Sequence, residues 1–264
     1  MVAVPHQQGA LAEGVADEDV EIFNVAALWR YEAIVRLGLD GDSMVAAASP
    51  GAVFPQILDF LVRNVDAAPP GAIIDVGAGL AGIAETVRQA SGRCVLAFDA
   101  SRHACDGARR LFPEVQLARA HPSGLPVRDG SVAAVLACGL LSVLTDPKAM
   151  MSEARRVIQE QGCFVVVDLA SASSRPASVG GKVFPSAERI LGSLADAGFA
   201  LADQAIGVTS LSDWALADAA IARDIADRRR GEAAFDHWLD DRRRFERMMS
   251  SDRVIMIGVA VRPC

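Results

Sequence analysis

Ile73-Ile74-Asp75-Val76-Gly77-Ala78-Gly79-Leu80-Ala81-Gly82, followed by Phe98-Asp99-Ala100-Ser101, is the stretch whose reading decides the fold. It reads as a buried strand, a glycine-rich turn, a helix, a second strand, and an acid at that strand's end. Glycine has no Cβ and tolerates positive φ, so such a turn lets backbone approach a ligand closely. An acid roughly 20 residues downstream falls where doubly wound folds place a carboxylate on a ribose. The pair of segments therefore points to an adenosine-containing ligand.

Outward from this unit the chain alternates strand and helix. Strands are expected over 72–76, 94–98, 115–118, 132–138 and 163–169, with helices starting near Leu80, Ser101 and Pro147. Near-continuous apolar strands separated by helices indicate a parallel sheet covered on both faces. Ahead of it, apolar positions from Val20 to Leu37 predict an amphipathic helix ending at Gly38 or Gly41, and a second helix is expected over 54–65. Behind it, Ser171 to Gly181 reads as a loop, Ser186 to Ala197 as a helix and Phe199 to Ile206 as a strand. A charged stretch over 211–251 reads as helices, and Val254 to Val261 as a final strand. The expected architecture is α/β: a doubly wound, Rossmann-like, seven-stranded and mostly parallel sheet. N-terminal helices and a late helical insert form a cap on it. The expected division is a loose tail (1–19), a helical cap segment (20–66), the ligand-binding domain (67–210 and 252–264) and the insert over the active site (211–251).

The 264 residues suffice for one large domain with a cap. A net charge of -7 lacks the basic footprint of a nucleic-acid binder. No apolar run reaches the roughly 20 residues that cross a bilayer, and the first 20 residues do not read as a signal peptide. Cys94, Cys105, Cys138, Cys163 and Cys264 are scattered and show no zinc-type spacing, which fits a reducing cytoplasm and no metal site. The partner expected is a small molecule, without nucleic acid or membrane; a homodimer is compatible with the chain.

Taken alone, Gly77 to Gly82 also fits the dinucleotide pattern. Asp75 argues otherwise. A carboxylate just before the turn opposes a pyrophosphate, which favours a bare helix N-terminus. It suits a ligand that carries an ammonium and a sulfonium. Together with Leu125-Pro126-Val127-Arg128-Asp129-Gly130-Ser131, Asp146-Pro147, Gly162 to Asp168 and Ala197-Gly198-Phe199, these segments resemble, in order and spacing, the class I S-adenosylmethionine-dependent methyltransferases. The resemblance runs from about Ala72 to Ile206, with the last strand as an antiparallel partner.

The resemblance implies S-adenosylmethionine as cofactor and S-adenosylhomocysteine as product. It places Asp75 at the methionine end and lets Gly77, Ala78 and Gly79 approach the ligand. Asp99 would take both ribose hydroxyls, Ala100 and Ser101 would lie beside the adenosine, and Cys138 and Gly139 would sit near the sulfonium. Relatives with this pattern often carry an acid four residues before the Leu-Pro, bonded to the adenine amine; here that position is His121, which as neutral imidazole can still accept a bond. Ala81 replaces the third glycine, Ala133 a common acid, and Leu141-Ser142-Val143-Leu144 stand where histidines are frequent. These departures keep two alternatives open: other chemistry in the same pocket, such as a cyclase, or a binding and regulatory role.

Methyl transfer from a sulfonium is in-line, so the protein mainly aligns the reactants. A base is needed only for a nucleophile that still carries its proton. His237 is the base candidate, and Tyr31, the one tyrosine of the chain, a candidate contact for cofactor or acceptor. Phe23, Trp29, Arg30, Trp214, Phe235 and Trp238 are candidates for the acceptor pocket; the competing reading is that the aromatics pack the cap onto the sheet. Arg228-Arg229-Arg230 and Arg242-Arg243-Arg244 could draw an anionic substrate, but the acids between them favour a solvated face.

Overall fold

In the computed structural model the described residues are 17–49, 55–144, 146–179, 182–207, 211–249 and 253–264. Of the tail expected over 1–19, residues 1–16 lie outside them and 17–19 are helical. Helix α1 (Asp17–Arg36) opens the described chain, so the acids at 17–19 form its first turn. It is followed by α2 (Gly41–Ala47) and α3 (Pro55–Asp66).

The sheet then builds as expected: β1 (Ile73–Val76), α4 (Gly82–Ser91), β2 (Val95–Asp99), α5 (Arg102–Leu111), β3 (Gln116–Arg119), β4 (Val132–Cys138), α6 (Pro147–Val157) and β5 (Ile158–Ser171). A short hairpin of β6 (Ala177–Val179) and β7 (Lys182–Phe184) leads to α7 (Ala187–Asp196) and β8 (Phe199–Gly207). The insert is α8 (Leu211–Arg229) and α9 (Phe235–Met249), and β9 (Val254–Pro263) ends the chain. Seven strands form one sheet in the order β3-β2-β1-β4-β5-β9-β8. The first five pair parallel, and β9 runs antiparallel between β5 and β8.

Side-chain alternation along a strand explains why both faces are covered. Ile73, Ala134, Leu136, Val165 and Val167 point to one core, with α3, α4, α8 and α9. Ile74, Val135, Ala137, Phe164 and Val166 point to the other, with Met150 and Met151 of α6 and Ile190 and Leu194 of α7. Helix starts follow capping chemistry. Ser101 accepts from the Ala104 N–H at 3.1 Å, and Asp146 accepts from Lys148 and Ala149 ahead of Pro147 at the first helical turn.

Two local expectations need correction. The segment expected as a loop from Ser171 carries β6, and the pairing of Ala177 with Phe184 and of Ser178 with Val183 closes a hairpin. The stretch after Gly38, expected as a helix end, starts α2, where Asp40 and Ser43 form a capping box. Among the described residues no helix is long and apolar enough to cross a membrane.

Candidate active site

Parallel pairing carries β1, β2 and β4 side by side, with their carboxyl ends at one edge. Asp75 pairs with Ala97, so its side chain and that of Asp99, one residue past the Val76–Phe98 pair, flank the glycine turn. The turn is fastened to the second strand: Gly77 and Ala78 N–H both donate to the Phe98 carbonyl, at 2.8 and 3.1 Å. Gly77 and Gly79 have φ of 70° and 56°, which keeps the backbone folded against the acids. Asp99 accepts from Gly79 N–H on one oxygen and from Ser101 N–H on the other, each at 2.8 Å. Each oxygen keeps a lone pair for a ligand hydroxyl.

A cavity of about 350 Å³ opens here. Its polar lining comes from Arg30, Ser49, Asp75, Asp99, Ser101, His121 and Cys138. The rest is backbone of the glycine turn and apolar side chains, among them Leu80, Leu140, Val143 and Leu144. Asp75, Gly77, Ala78, Gly79, Asp99, Ala100, Ser101, His121, Cys138 and Gly139 all line this one space.

The electrostatics are set by burial. Asp75 is 2% exposed, and its Oδ2 has no hydrogen-bond partner among the described residues. Burial, then the charge of Asp99, raises its pKa to about 7. Burial also raises Asp99, against the two backbone N–H donors that hold its charge. Cys138 is pushed well above its ordinary value by burial and by Asp75 and Asp168, so it stands as a thiol. A cation brought against these two acids would favour their ionised forms. A ligand with an ammonium at one end and a ribose at the other fits that arrangement.

Several contributors carry no sequence motif. Arg30 enters from α1, donates to the Ala47 carbonyl at 2.8 Å and pairs with Asp218 of α8, which also pairs with Arg242 of α9. Asp218 is 2% exposed and held below its usual range by these two arginines, against burial. Ser49, 5% exposed with an unpartnered Oγ, sits where a Cβ on Gly82 would meet it at 2.1 Å. So Gly82 is needed for α2 to close over the start of α4. Asp168 accepts from Leu141 and Leu169 N–H at 2.7 and 2.8 Å, anchoring the loop that brings Leu140, Val143 and Leu144 to the cavity.

The two catalytic candidates stand elsewhere. Tyr31 is absent from the cavity lining; its ring packs toward Gly107 of α5 and beneath Arg110, 5.6 Å from the ring centre. His237 has a side chain 54% exposed on α9, 3.8 Å from Asp241. The aromatic residues of the cap pack with one another: Trp29 meets Trp238 edge-on at 6.2 Å, and Phe235 lies 5.8 Å from Trp238. Phe23 and Trp214 have side chains outside the described residues. No described residue of α8 or α9 lines the cavity, so the insert reaches it through Arg30. Four more arginines of the two runs pair with acids: Arg228 with Asp224, Arg229 with Glu32, Arg243 with Asp240 and Arg244 with Asp241.

A seven-stranded sheet of this order, with a two-carboxylate cavity at the strands' carboxyl ends, is the Rossmann-like framework of a nucleoside-binding protein. Residues 74–166 match the model of the methyltransferase domain family, which is consistent with a class I S-adenosylmethionine-dependent methyltransferase and with S-adenosylmethionine as cofactor. No curated protein matches the chain in sequence. Solved structures share the fold. The cyclase SpnF has a TM-score of 0.65 and 20% identity over 79% of this chain and 80% of its own. A methyltransferase from Geobacter sulfurreducens in complex with S-adenosylhomocysteine has a TM-score of 0.62 and 16% identity, over 80% of this chain and 92% of its own. The geranyl diphosphate C-methyltransferase of Streptomyces coelicolor A3(2) has a TM-score of 0.55 and 14% identity, over 78% of each chain. At these identities the likeness is one of fold.

Proposed function

We propose that the chain transfers a methyl group from S-adenosylmethionine to a small, largely apolar acceptor. The observation that carries this is the pair Asp75 and Asp99, set on adjacent strands around the glycine turn in one cavity, with Asp75 Oδ2 unsatisfied. In this reading Asp75 takes the ammonium of the methionine end, and Asp99 takes the ribose hydroxyls in a charge-assisted contact. Arg30 and Ser49 take the carboxylate end. Among the described residues two of the five Arg30 N–H groups donate within the protein, and Ser49 Oγ has no partner. Arg30 thus replaces Tyr31 as the α1 contact.

The bound cofactor supplies an electrophilic methyl on sulfur. The protein's part is alignment and exclusion of water. Cys138 and Gly139 close the end of β4, and Leu140, Val143 and Leu144 offer the acceptor an apolar wall. Cys138 as a thiol is a poor base, and His237 is on the cap surface, so the acceptor atom reacts without a base from either residue. The chain is proposed to act in the cytoplasm, without metal, as a monomer or homodimer.

The test is incubation with methyl-labelled S-adenosylmethionine and a cell extract, read by mass spectrometry. Expected is label on a low-mass, apolar product and stoichiometric S-adenosylhomocysteine. Label on protein or nucleic acid only would overturn the acceptor class.

A second reading has the apolar wall and the cyclase SpnF behind it: the pocket would fold an apolar substrate for cyclisation while the cofactor stays intact. It is favoured if a substrate is converted with no S-adenosylhomocysteine formed.

A further inference from the structure

Asp168 is a buried acid, 3% exposed, that stands outside the cavity lining. It follows Val167, which pairs with Cys138 where β5 runs beside β4. Leu141 N–H donates to its Oδ2 at 2.7 Å, Ser142 N–H to the same oxygen at 3.4 Å, and Leu169 N–H to Oδ1 at 2.8 Å. A backbone N–H can only donate, so both oxygens serve as acceptors, which favours the carboxylate. Burial raises the pKa, and these donors oppose the rise. Leu140 and Val143, on either side of Leu141 and Ser142, line the cavity, as do Cys138 and Gly139. Gly139 N–H is tied to the Val167 carbonyl at 2.7 Å. The strand end and loop over 138–143 thus form a wall with the cavity on one side and Asp168 behind it. The charge is felt in that wall: after burial, Asp75 and then Asp168 push the Cys138 thiol well above its ordinary value.

Methyl transfer turns a cationic sulfonium into a neutral thioether, while the ammonium, carboxylate and ribose of the cofactor stay as they were. Asp75 and Asp99 are proposed to meet the ammonium and the ribose, so they act on both forms alike. Asp168 meets no group of the ligand and acts only through its field. A charge buried behind one layer of protein is poorly screened by solvent and reaches a second charge across that layer. We propose that Asp168 is a specificity-determining residue: its buried charge favours the sulfonium of S-adenosylmethionine over the thioether of S-adenosylhomocysteine. Loss of the positive charge on transfer then weakens the hold on the product and favours its exchange for fresh cofactor. This rests on the cavity holding that cofactor with its sulfur beside Cys138 and Gly139.

The test titrates S-adenosylmethionine and S-adenosylhomocysteine calorimetrically into the wild type, Asp168→Asn and Asp168→Glu. The readout is the ratio of the two affinities. A variant that merely shifts the loop weakens both ligands alike and leaves the ratio unchanged. In Asp168→Asn the ratio is expected to move toward S-adenosylhomocysteine by about threefold to tenfold, the effect of one charge across a layer of protein. Asp168→Glu keeps the charge and should keep the ratio of the wild type. Carboxyl-carbon NMR of the labelled wild type, which needs no variant, should show Asp168 ionised at neutral pH in both complexes. An unchanged ratio in Asp168→Asn, or a protonated Asp168 in the complexes, would overturn the role of this acid while leaving the cofactor reading intact. Failure of both ligands to bind the wild type would overturn both.

Discussion

Asp75 and Asp99 are two acids with different duties, and their surroundings separate them. Asp99 already spends both oxygens on backbone N–H groups, so its charge is supported before a ligand arrives. Removing it takes away the two acceptors proposed for ribose and the anchor of Gly79 together. Asp99→Ala is expected to weaken S-adenosylhomocysteine binding by roughly tenfold to a hundredfold, as loss of a charged hydrogen-bond partner does. Calorimetry reads this directly, and Asp99→Asn should fall between.

Asp75 instead has an oxygen waiting for a cation, and its pKa of about 7 lies above the ordinary 3.8. The folded chain without ligand therefore holds a proton that the unfolded chain releases. The associated stability is fully present below about pH 4 and is lost as pH rises through about 7. A ligand ammonium favours the ionised form, so binding releases this proton and tightens between pH 6 and 8. Melting curves and titrations across that range should show both slopes in the wild type and neither in Asp75→Asn; equal slopes in the two proteins would contradict the assignment.

Ala81 is a smaller case at the same scale. It sits at φ 65° where the pattern has glycine, a conformation that costs an L-residue roughly 1–2 kcal/mol. Its methyl is fully buried, which offsets roughly 0.8 kcal/mol. Ala81→Gly should thus lie within about 1 kcal/mol of the wild type in chemical denaturation.

Among the elements, the cap is joined to the site through one carboxylate. Asp218 of α8 pairs with Arg30 from α1 and Arg242 from α9, the acid buried and both arginines partly so. Taking the acid away leaves two partly buried guanidinium groups facing each other. Asp218→Ala is expected to cost about 3–5 kcal/mol. It should also loosen S-adenosylhomocysteine binding, because Arg30 loses the partner that holds it at the cavity. A melt and a titration of the same variant separate the two effects; unchanged binding would confine Arg30 to a structural role.

The element scale also shows where the sequence was readable. β1, β2 and β4 are apolar runs bounded by Pro, Gly or an acid, so their ends were legible to within a residue or two. β5 was read from Cys163, but α6 passes straight into it at Ile158, with no breaker until Gly162 to mark the change. α2, at seven residues and starting on glycine, has too few turns to show a period. Ser49 and Arg30 belong to the cavity through packing of α1 on α5 and of α2 on α4, and no spacing in the sequence encodes those contacts. His237 stands out in the sequence by its chemistry alone, and a helix face read from charge cannot say which way it turns.

For the molecule as a whole, the last strand completes what the first five begin. β9 lies between β5 and β8 and is paired over most of its length with both. A chain ending at Arg253 would expose the edge of β5 and leave β8 without its neighbour in the sheet. It is expected to lose cooperative melting by circular dichroism, although the methyltransferase domain match ends at residue 166. The cavity is a property of the sheet's carboxyl edge with α1 and α2 closed upon it, and the cap acts on it from behind α1.

The most direct test of that account is a calorimetric titration of the purified chain with S-adenosylhomocysteine at pH 7.5, with NADH as the control. One molecule should bind per chain, and NADH should give no heat. Binding of NADH, or no binding of S-adenosylhomocysteine, would contradict the assignment of Asp75 and Asp99 to an adenosyl sulfur cofactor.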